Sequence, residues 1–177
     1  MTAEEVQYAL TYSQRSPFYI RSHIVVPNVH WGLGFNHELD LLSITTPAHI
    51  GTEIEIKVSK GDLKRDLLKE HHHYDDRIRQ LYFAGPVTLL DDFVELVPKE
   101  FGIITVSRLN TNSLRYNCST IRNAKPLKQW RGAFTKAEVF DLMRLGNMRY
   151  WAQFHKQFWR KNVGRTVVQS QSDKSNG

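Results

Sequence analysis

The chain has 177 residues, the size of one domain, with 41% hydrophobic, 11% aromatic and 24% charged residues; this globular composition excludes a disordered, collagen-like or disulfide-scaffold protein. A single cysteine, Cys118, can form no intramolecular disulfide and no CxxC pair exists, which predicts a reducing, cytoplasmic compartment and argues against a zinc ribbon. The first residues carry no basic-then-apolar leader and no apolar run approaches the roughly 18 residues of a membrane span, so no membrane partner is expected. The formal net charge of +6 hides an asymmetry. Residues 1–106 carry 10 Lys/Arg against 15 Asp/Glu, net −5, whereas residues 107–165 carry 13 against 2, net +11. A basic third of this kind suits a polyanion, and it equally suits a merely soluble surface.

Thr2, with Glu5 three residues on, has capping-box spacing and predicts a helix to about residue 14. Residues 19–26 (YIRSHIVV) are β-branched and aromatic and predict a strand closed by Pro27-Asn28. Gly32-Leu33-Gly34 reads as a glycine-rich turn, because the third glycine of a dinucleotide loop is missing and no helical pattern follows. Residues 37–44 (HELDLLSI) and 51–58 (GTEIEIKV) predict two strands about a short turn at Thr45-Thr46-Pro47. From Ser59 the period changes: Asp62 has capping spacing, and Leu63, Leu67 and Leu68 predict a helix to about residue 70. Residues 80–84 (QLYFA), ended by Gly85-Pro86, predict a buried strand, residues 87–96 a short helix, and residues 101–106 another strand. Beyond Ser107 basic residues scatter among few apolar ones until Thr135 and Glu138 form a second capping box. The helix it opens is expected to reach about residue 161, with Val139, Leu142, Met143, Tyr150, Phe154 and Phe158 packed into the core. Residues 166–177 read as a disordered tail. This order predicts an α/β fold: a mixed central sheet flanked by helices plus a long C-terminal helix, in one domain of residues 1–165 with a core over 3–106 and a basic extension over 107–165.

In residues 51–58, alternation sets Ile54, Ile56 and Val58 on one face and Glu53, Glu55 and Lys57 on the other. Taken alone, that is also the pattern of a half-exposed strand. The preceding strand shifts the balance, since Glu38 and Asp40 share a face of a strand too apolar on both sides (Leu39, Leu41, Leu42, Ile44) for a solvent-facing edge. The short turn then sets Asp40 across from Glu55, with Lys57 beside them. Like charges in such a place repel and are desolvated unless something compensates, and carboxylate oxygens suit Mg²⁺ or Mn²⁺ rather than zinc. Lys57 reaches the same space, where it can orient or deprotonate a water that attacks a phosphate.

Asp40, the triplet Glu55-Ile56-Lys57 and the helix opening Ser59-Lys60-Gly61-Asp62-Leu63 together resemble the D…(D/E)xK core of the PD-(D/E)XK nuclease superfamily. More closely, residues 54–86 are similar to the MmcB-related DNA-repair proteins of that superfamily, with their ExK strand, S-x-x-D-L helix and aromatic strand ending in Ala-x-Pro. The resemblance covers residues 37–86, and Leu39-Asp40 stands where the superfamily's name has Pro-Asp. It implies a restriction-endonuclease-like αβββαβ core, a Mg²⁺ or Mn²⁺ ion on Asp40, Glu55 and the Ile56 carbonyl, and Lys57 beside the nucleophilic water. The implied activity is hydrolysis of DNA phosphodiester bonds in repair, recombination or phage DNA metabolism. The resemblance also suggests that an acid of the first helix, Glu4 or Glu5, joins the site. Glu38 and Glu53 are further candidates, as additional ligands or as rim charges.

Other residues divide between functional and plain readings. His71-His72-His73 invite a metal reading, but consecutive helical residues point in three directions, as at a solvated helix end. His37-Glu38 does not extend to HExxH, because position 41 is Leu. Asp62 reads as a helix cap and Asp66 as a surface or packing charge. Lys60, Lys64 and Arg65 follow the ExK strand and are candidates for phosphate contact, although exposed lysines on a helix are routine. Arg108, Arg115, Arg122, Lys125, Lys128 and Arg131, interleaved with asparagines and Trp130, have the composition of a surface for a nucleic-acid backbone, DNA first and RNA as the same chemistry. The alternative to an enzyme is a non-catalytic nucleic-acid-binding protein that keeps the nuclease fold, with a homodimer or repair-complex partner compatible with both. A protein-interaction module is a third class.

Overall fold

A computed structural model describes residues 1–30, 34–35, 37–68, 75–109 and 115–172, with side chains described as far as residue 159. The three consecutive histidines and most of the glycine-rich turn lie outside the described residues. Eleven segments follow in order: α1 (Ala3–Tyr12), β1 (His23–Val29), β2 (Leu39–Thr45), β3 (Gly51–Ile56), α2 (Lys60–Leu67), β4 (Ile78–Pro86), a 3₁₀ turn (Val87–Leu89), α3 (Leu90–Leu96), β5 (Gly102–Arg108), β6 (Tyr116–Arg122) and α4 (Lys136–Ser172). The strands form one open sheet in chain order, β1 to β6. Pairing is antiparallel from β1 to β3, parallel from β3 through β4 to β5, and antiparallel again to β6. Connection length fixes this mixture: a short turn joins β2 to β3 as a hairpin, whereas the crossovers through α2 and α3 return the chain in parallel.

The caps stand where sequence puts them. Thr2 and Glu5 form a reciprocal capping box on α1, Ser59 accepts from the Asp62 N–H to start α2, and Thr135 and Glu138 exchange the same bonds before α4. Boundaries move where tertiary pairing overrides local propensity. β1 starts at His23 and runs through Pro27, which an edge strand tolerates because it bonds on one side alone. β6 has no counterpart in the sequence reading: it is the other edge strand, and only Tyr116 and Cys118 along it are buried.

Each face of the sheet has its own core. On one face α1 lays Val6, Ala9 and Leu10 against Leu41, Ile54, Ile56, Tyr82, Ile104 and Val106. On the other face there are two clusters. Phe134, Val139 and Leu142 cover Leu42 and Ile44 of β2, while Leu63 and Phe93 cover Leu81 and Phe83 of β4. Strand β3 runs between these two clusters. Its residues paired with Leu42, Leu81 and Phe83 are Glu53 and Glu55, so the acids occupy the seam.

The stripe on α4 is a correction. Val139 and Leu142 are buried, but Met143, Tyr150, Phe154 and Phe158 are about half exposed, and the three rings stack along the helix. The helix crosses β1 at Gly146, beside Val26, and Arg149 donates to the Pro27 carbonyl at this edge strand. The helix also continues to Ser172, through residues 166–172 that sequence assigns to a disordered tail. No helix among the described residues is long and apolar enough to cross a membrane.

Gly85 ties the fold to the site. A Cβ there would collide with the Lys57 carbonyl oxygen and the Phe93 ring, so strand β4 lies against the end of β3 only because this position has no side chain. Gly85→Ala is expected to destabilise the protein by about 1–3 kcal/mol, seen as a melting temperature lower by several degrees; an unchanged melt would contradict the packing described.

Candidate active site

The β2–β3 hairpin carries the first part of the site. Leu41 pairs with Ile54, which brings Asp40 and Glu55 opposite each other one step further along. Asp40 Oδ2 accepts the Ile56 N–H at 2.8 Å, so the carboxylate is pinned across the end of the hairpin. Ile56 thus enters the site through its N–H. Lys57 follows immediately, its own N–H given to the Ala84 carbonyl of β4 at 2.9 Å.

The Lys57 ammonium is the hub. Its Nζ lies 2.6 Å from Glu55 Oε2, 3.2 Å from Asp66 Oδ2 and 3.8 Å from Asp40 Oδ2. Burial is uneven across this set. Glu53, Glu55, Lys57 and Asp66 are 0–9% exposed, whereas the Asp40 side chain keeps 39% of its surface. A half-exposed polar face on β3 is therefore ruled out: all six of its residues are buried. His37 completes the inner side, with Nε2 at 2.8 Å from Glu53 Oε1. His37, Glu53 and Glu55 can offer ligand atoms that all lie within 4.8 Å of one another.

Electrostatics follow from burial and crowding. Desolvation pushes the Glu55 carboxyl up to about 7, opposed by Lys57 and reinforced by Asp40 and Glu53. Burial works to pull Lys57 down, yet Glu55, then Asp66 and Asp40, hold it above the ordinary lysine value. Lys57 is thus a cation at neutral pH. As a cation it is suited to orient a water or a phosphate oxygen, whereas the base role that sequence leaves open needs the deprotonated amine.

Several expected residues lie elsewhere. Glu5 is bound to Thr2, Arg108 and Tyr116, because α1 packs on the opposite face of the sheet; Glu4 shares that helix turn. Glu38 precedes the first residue of β2, so strand alternation does not carry it to Asp40's side, and it is exposed. Lys60 is held by Asp92 at 2.5 Å on α3, and Arg65 lies 3.7 Å from Asp62 on its own helix; Lys64 is exposed. Arg122 is structural, donating to the carbonyls of Val97, Pro98 and Phe101 where α3 ends. Lys125, Lys128 and Arg131 are exposed on a segment whose backbone bonds Glu100, Arg79, Asp76 and His49. Those partners stand around the starts of β3 and β4, the end of the sheet opposite Lys57. Arg108 and Arg115 do lie at the same end of the sheet as the carboxylates, since β5 is parallel to β3 and β6 starts there. The basic third is therefore divided between two ends and is no single surface.

Sequence reading passes over two members of the site. Asp66 sits three residues after buried Leu63 and between it and Leu67, so it lies on the apolar stripe of α2 and turns toward β3; that spacing was the available signal. His37 lies in the segment before β2 and has no periodic signal. Cys118 is buried, its Sγ donating to the Ala9 carbonyl at 3.3 Å, and burial pushes the thiol up to about 11, which makes it a poor nucleophile.

No family model, curated protein or solved structure matches this chain.

The raised Glu55 value has a consequence for stability. Between about pH 4.5 and 7 the folded protein binds a proton at Glu55 that the unfolded chain has released, so stability falls as pH rises through that window. In chelator, Glu55→Gln is expected to stabilise the protein at pH 8 by up to about 3 kcal/mol, with most of that gain gone at pH 5. Denaturant melts at the two pH values measure it, and an equal gain at both would contradict the assignment.

Proposed function

We propose that the chain is a metal-dependent nuclease of restriction-endonuclease-like fold that hydrolyses phosphodiester bonds of DNA. The observation that carries this reading is the convergence of Asp40, Glu55 and Lys57 at the carboxyl end of β3, where open α/β sheets place their ligands. The resemblance of residues 37–86 to DNA-repair nucleases points the reaction toward repair, recombination or phage DNA metabolism.

The residues fit a divalent cation. Glu55 Oε1 is buried and has no hydrogen-bond partner among the described residues, an acceptor in a low-dielectric place that a cation would satisfy. Glu55 would be the common ligand, joined by Asp40 from the open side or by Glu53 and His37 from the inner side. A bound Mg²⁺ or Mn²⁺ supplies charge that polarises a phosphate oxygen and acidifies a water. Lys57 keeps its proton and presents a fixed positive charge between Glu55 and Asp40, suited to hold an attacking water or to meet negative charge that develops on the phosphate. Asp66 holds Lys57 from the helix side, and its role is to position the ammonium rather than to touch substrate. Asp40, tied to the Ile56 N–H, keeps its direction while remaining open to solvent.

Cleavage of single-stranded, duplex and branched DNA with Mg²⁺ or Mn²⁺ tests the reading. Glu55→Gln and Lys57→Met are each expected to lose about 100-fold or more of the activity, whereas Lys125→Ala/Lys128→Ala, at the far end of the sheet, stays within a few-fold of wild type. Activity that survives in Lys57→Met and Glu55→Gln would sink the assignment. Salt-sensitive DNA binding without cleavage under either metal would instead leave a nucleic-acid-binding protein of the same fold.

A further inference from the structure

A second feature lies at the same end of the sheet, on the face covered by α1. Tyr8 and Tyr12, four residues apart on that helix, stack with ring centroids 5.1 Å apart and an interplanar angle of 14°. Both rings are solvent-exposed, at 44% and 57%. Tyr116 meets Tyr8 edge-on at 6.0 Å, which fixes the pair against the start of β6. These rings border a cleft of about 610 Å³ that Gln14, Arg15 and Arg115 also line. No carboxylate lines it among the described residues. Arg15 and Arg115 are exposed beside the rings, and the nearby Glu5 is engaged by Arg108.

Core packing does not account for these rings, because the core on this face is built from Val6, Ala9 and Leu10 on the inner side of the same helix. Exposed flat rings next to guanidinium groups are instead the chemistry that holds unpaired bases: each base has a π-face to stack, and each linkage has a phosphate for an arginine. A duplex keeps its bases stacked on one another, so exposed rings of this kind suit a single strand.

Position strengthens the argument. Tyr116 begins β6, which is three strands from β3, and both Tyr116 and Lys57 stand at the same end of the sheet. At the usual strand spacing that separation is about 14 Å, a span that a short stretch of single strand bridges. We propose that the Tyr8–Tyr12 pair with Arg15 and Arg115 is a docking site for a single strand of DNA that continues over the sheet end toward Lys57. The proposal extends the nuclease reading by naming its substrate as single-stranded DNA or a duplex with an unpaired end.

The test is a binding measurement in chelator, where no metal-dependent cleavage takes place. A labelled oligothymidylate of about 12 nucleotides and a blunt duplex of the same length are titrated with the full chain, followed by anisotropy. Tyr8→Ala/Tyr12→Ala is expected to weaken single-strand binding at least about tenfold, while Tyr8→Phe/Tyr12→Phe stays within about twofold of wild type and duplex binding changes little. Arg15→Ala/Arg115→Ala is expected to weaken binding and to flatten its salt dependence. Thermal melts of the Ala and Phe pairs separate loss of the rings from loss of the fold. Single-strand binding unaffected by the Ala pair, or lost equally in the Phe pair, would overturn the proposal. Cleavage fails independently: tyrosine-dependent binding without hydrolysis would retain this site and remove the nuclease reading, and hydrolysis without tyrosine dependence would do the reverse.

Discussion

One lysine shared by three carboxylates, with a fourth just beyond them, is the interaction on which the rest of the site depends. Lys57 lies within 4 Å of Glu55, Asp66 and Asp40, and Glu53 sits on the same strand face, fully buried. Taking such charges out of water costs several kcal/mol per ion, and Lys57, with His37 beside Glu53, faces three buried acids and the half-open Asp40. Among the described residues one oxygen of Glu55 has no hydrogen-bond partner, and burial raises its carboxyl to about 7. The proposed divalent cation would offset that cost, and oxygen and imidazole donors are compatible with one.

The fold makes the cluster possible by dividing one face of the sheet. Two separate apolar clusters, under α4 and under α2 with α3, leave β3 between them as the strand that need not be apolar on that side. The other face of β3 stays apolar under α1, so Ile54 and Ile56 anchor the strand while Glu53 and Glu55 face the seam. The parallel strands β3, β4 and β5 then bring the ends of several chain segments to one edge, where both the acids and the tyrosine cleft lie. Aromatic side chains further along α4 have no such place: Trp151, Phe154 and Phe158 stay about half exposed and pack on one another.

Much of this was legible in the sequence because local rules decide it. The alternation in β3, the short hairpin turn and three capping signals locate Asp40, Glu55, Lys57 and the helices that frame them. What escaped is set by long-range pairing. β6 has too few apolar residues to announce itself and forms because β5 offers it an edge. Arg122 and Lys60 look like phosphate ligands by composition, but their partners come from α3 and the turn after it, which no local pattern reveals. Asp66 was hidden differently: its helical spacing was visible, but an acid on an apolar stripe has meaning only once the stripe is known to face Lys57.

The central claim is that buried Glu55 is a cation ligand. A crystal soaked in Mn²⁺ and measured for anomalous scattering tests it most directly. The account predicts a peak at coordination distance from the Glu55 carboxylate, about 2.0–2.3 Å, shared with Asp40 or with His37 and Glu53. A map without such a peak, with Glu55 ordered and bound to Lys57 alone, would contradict it.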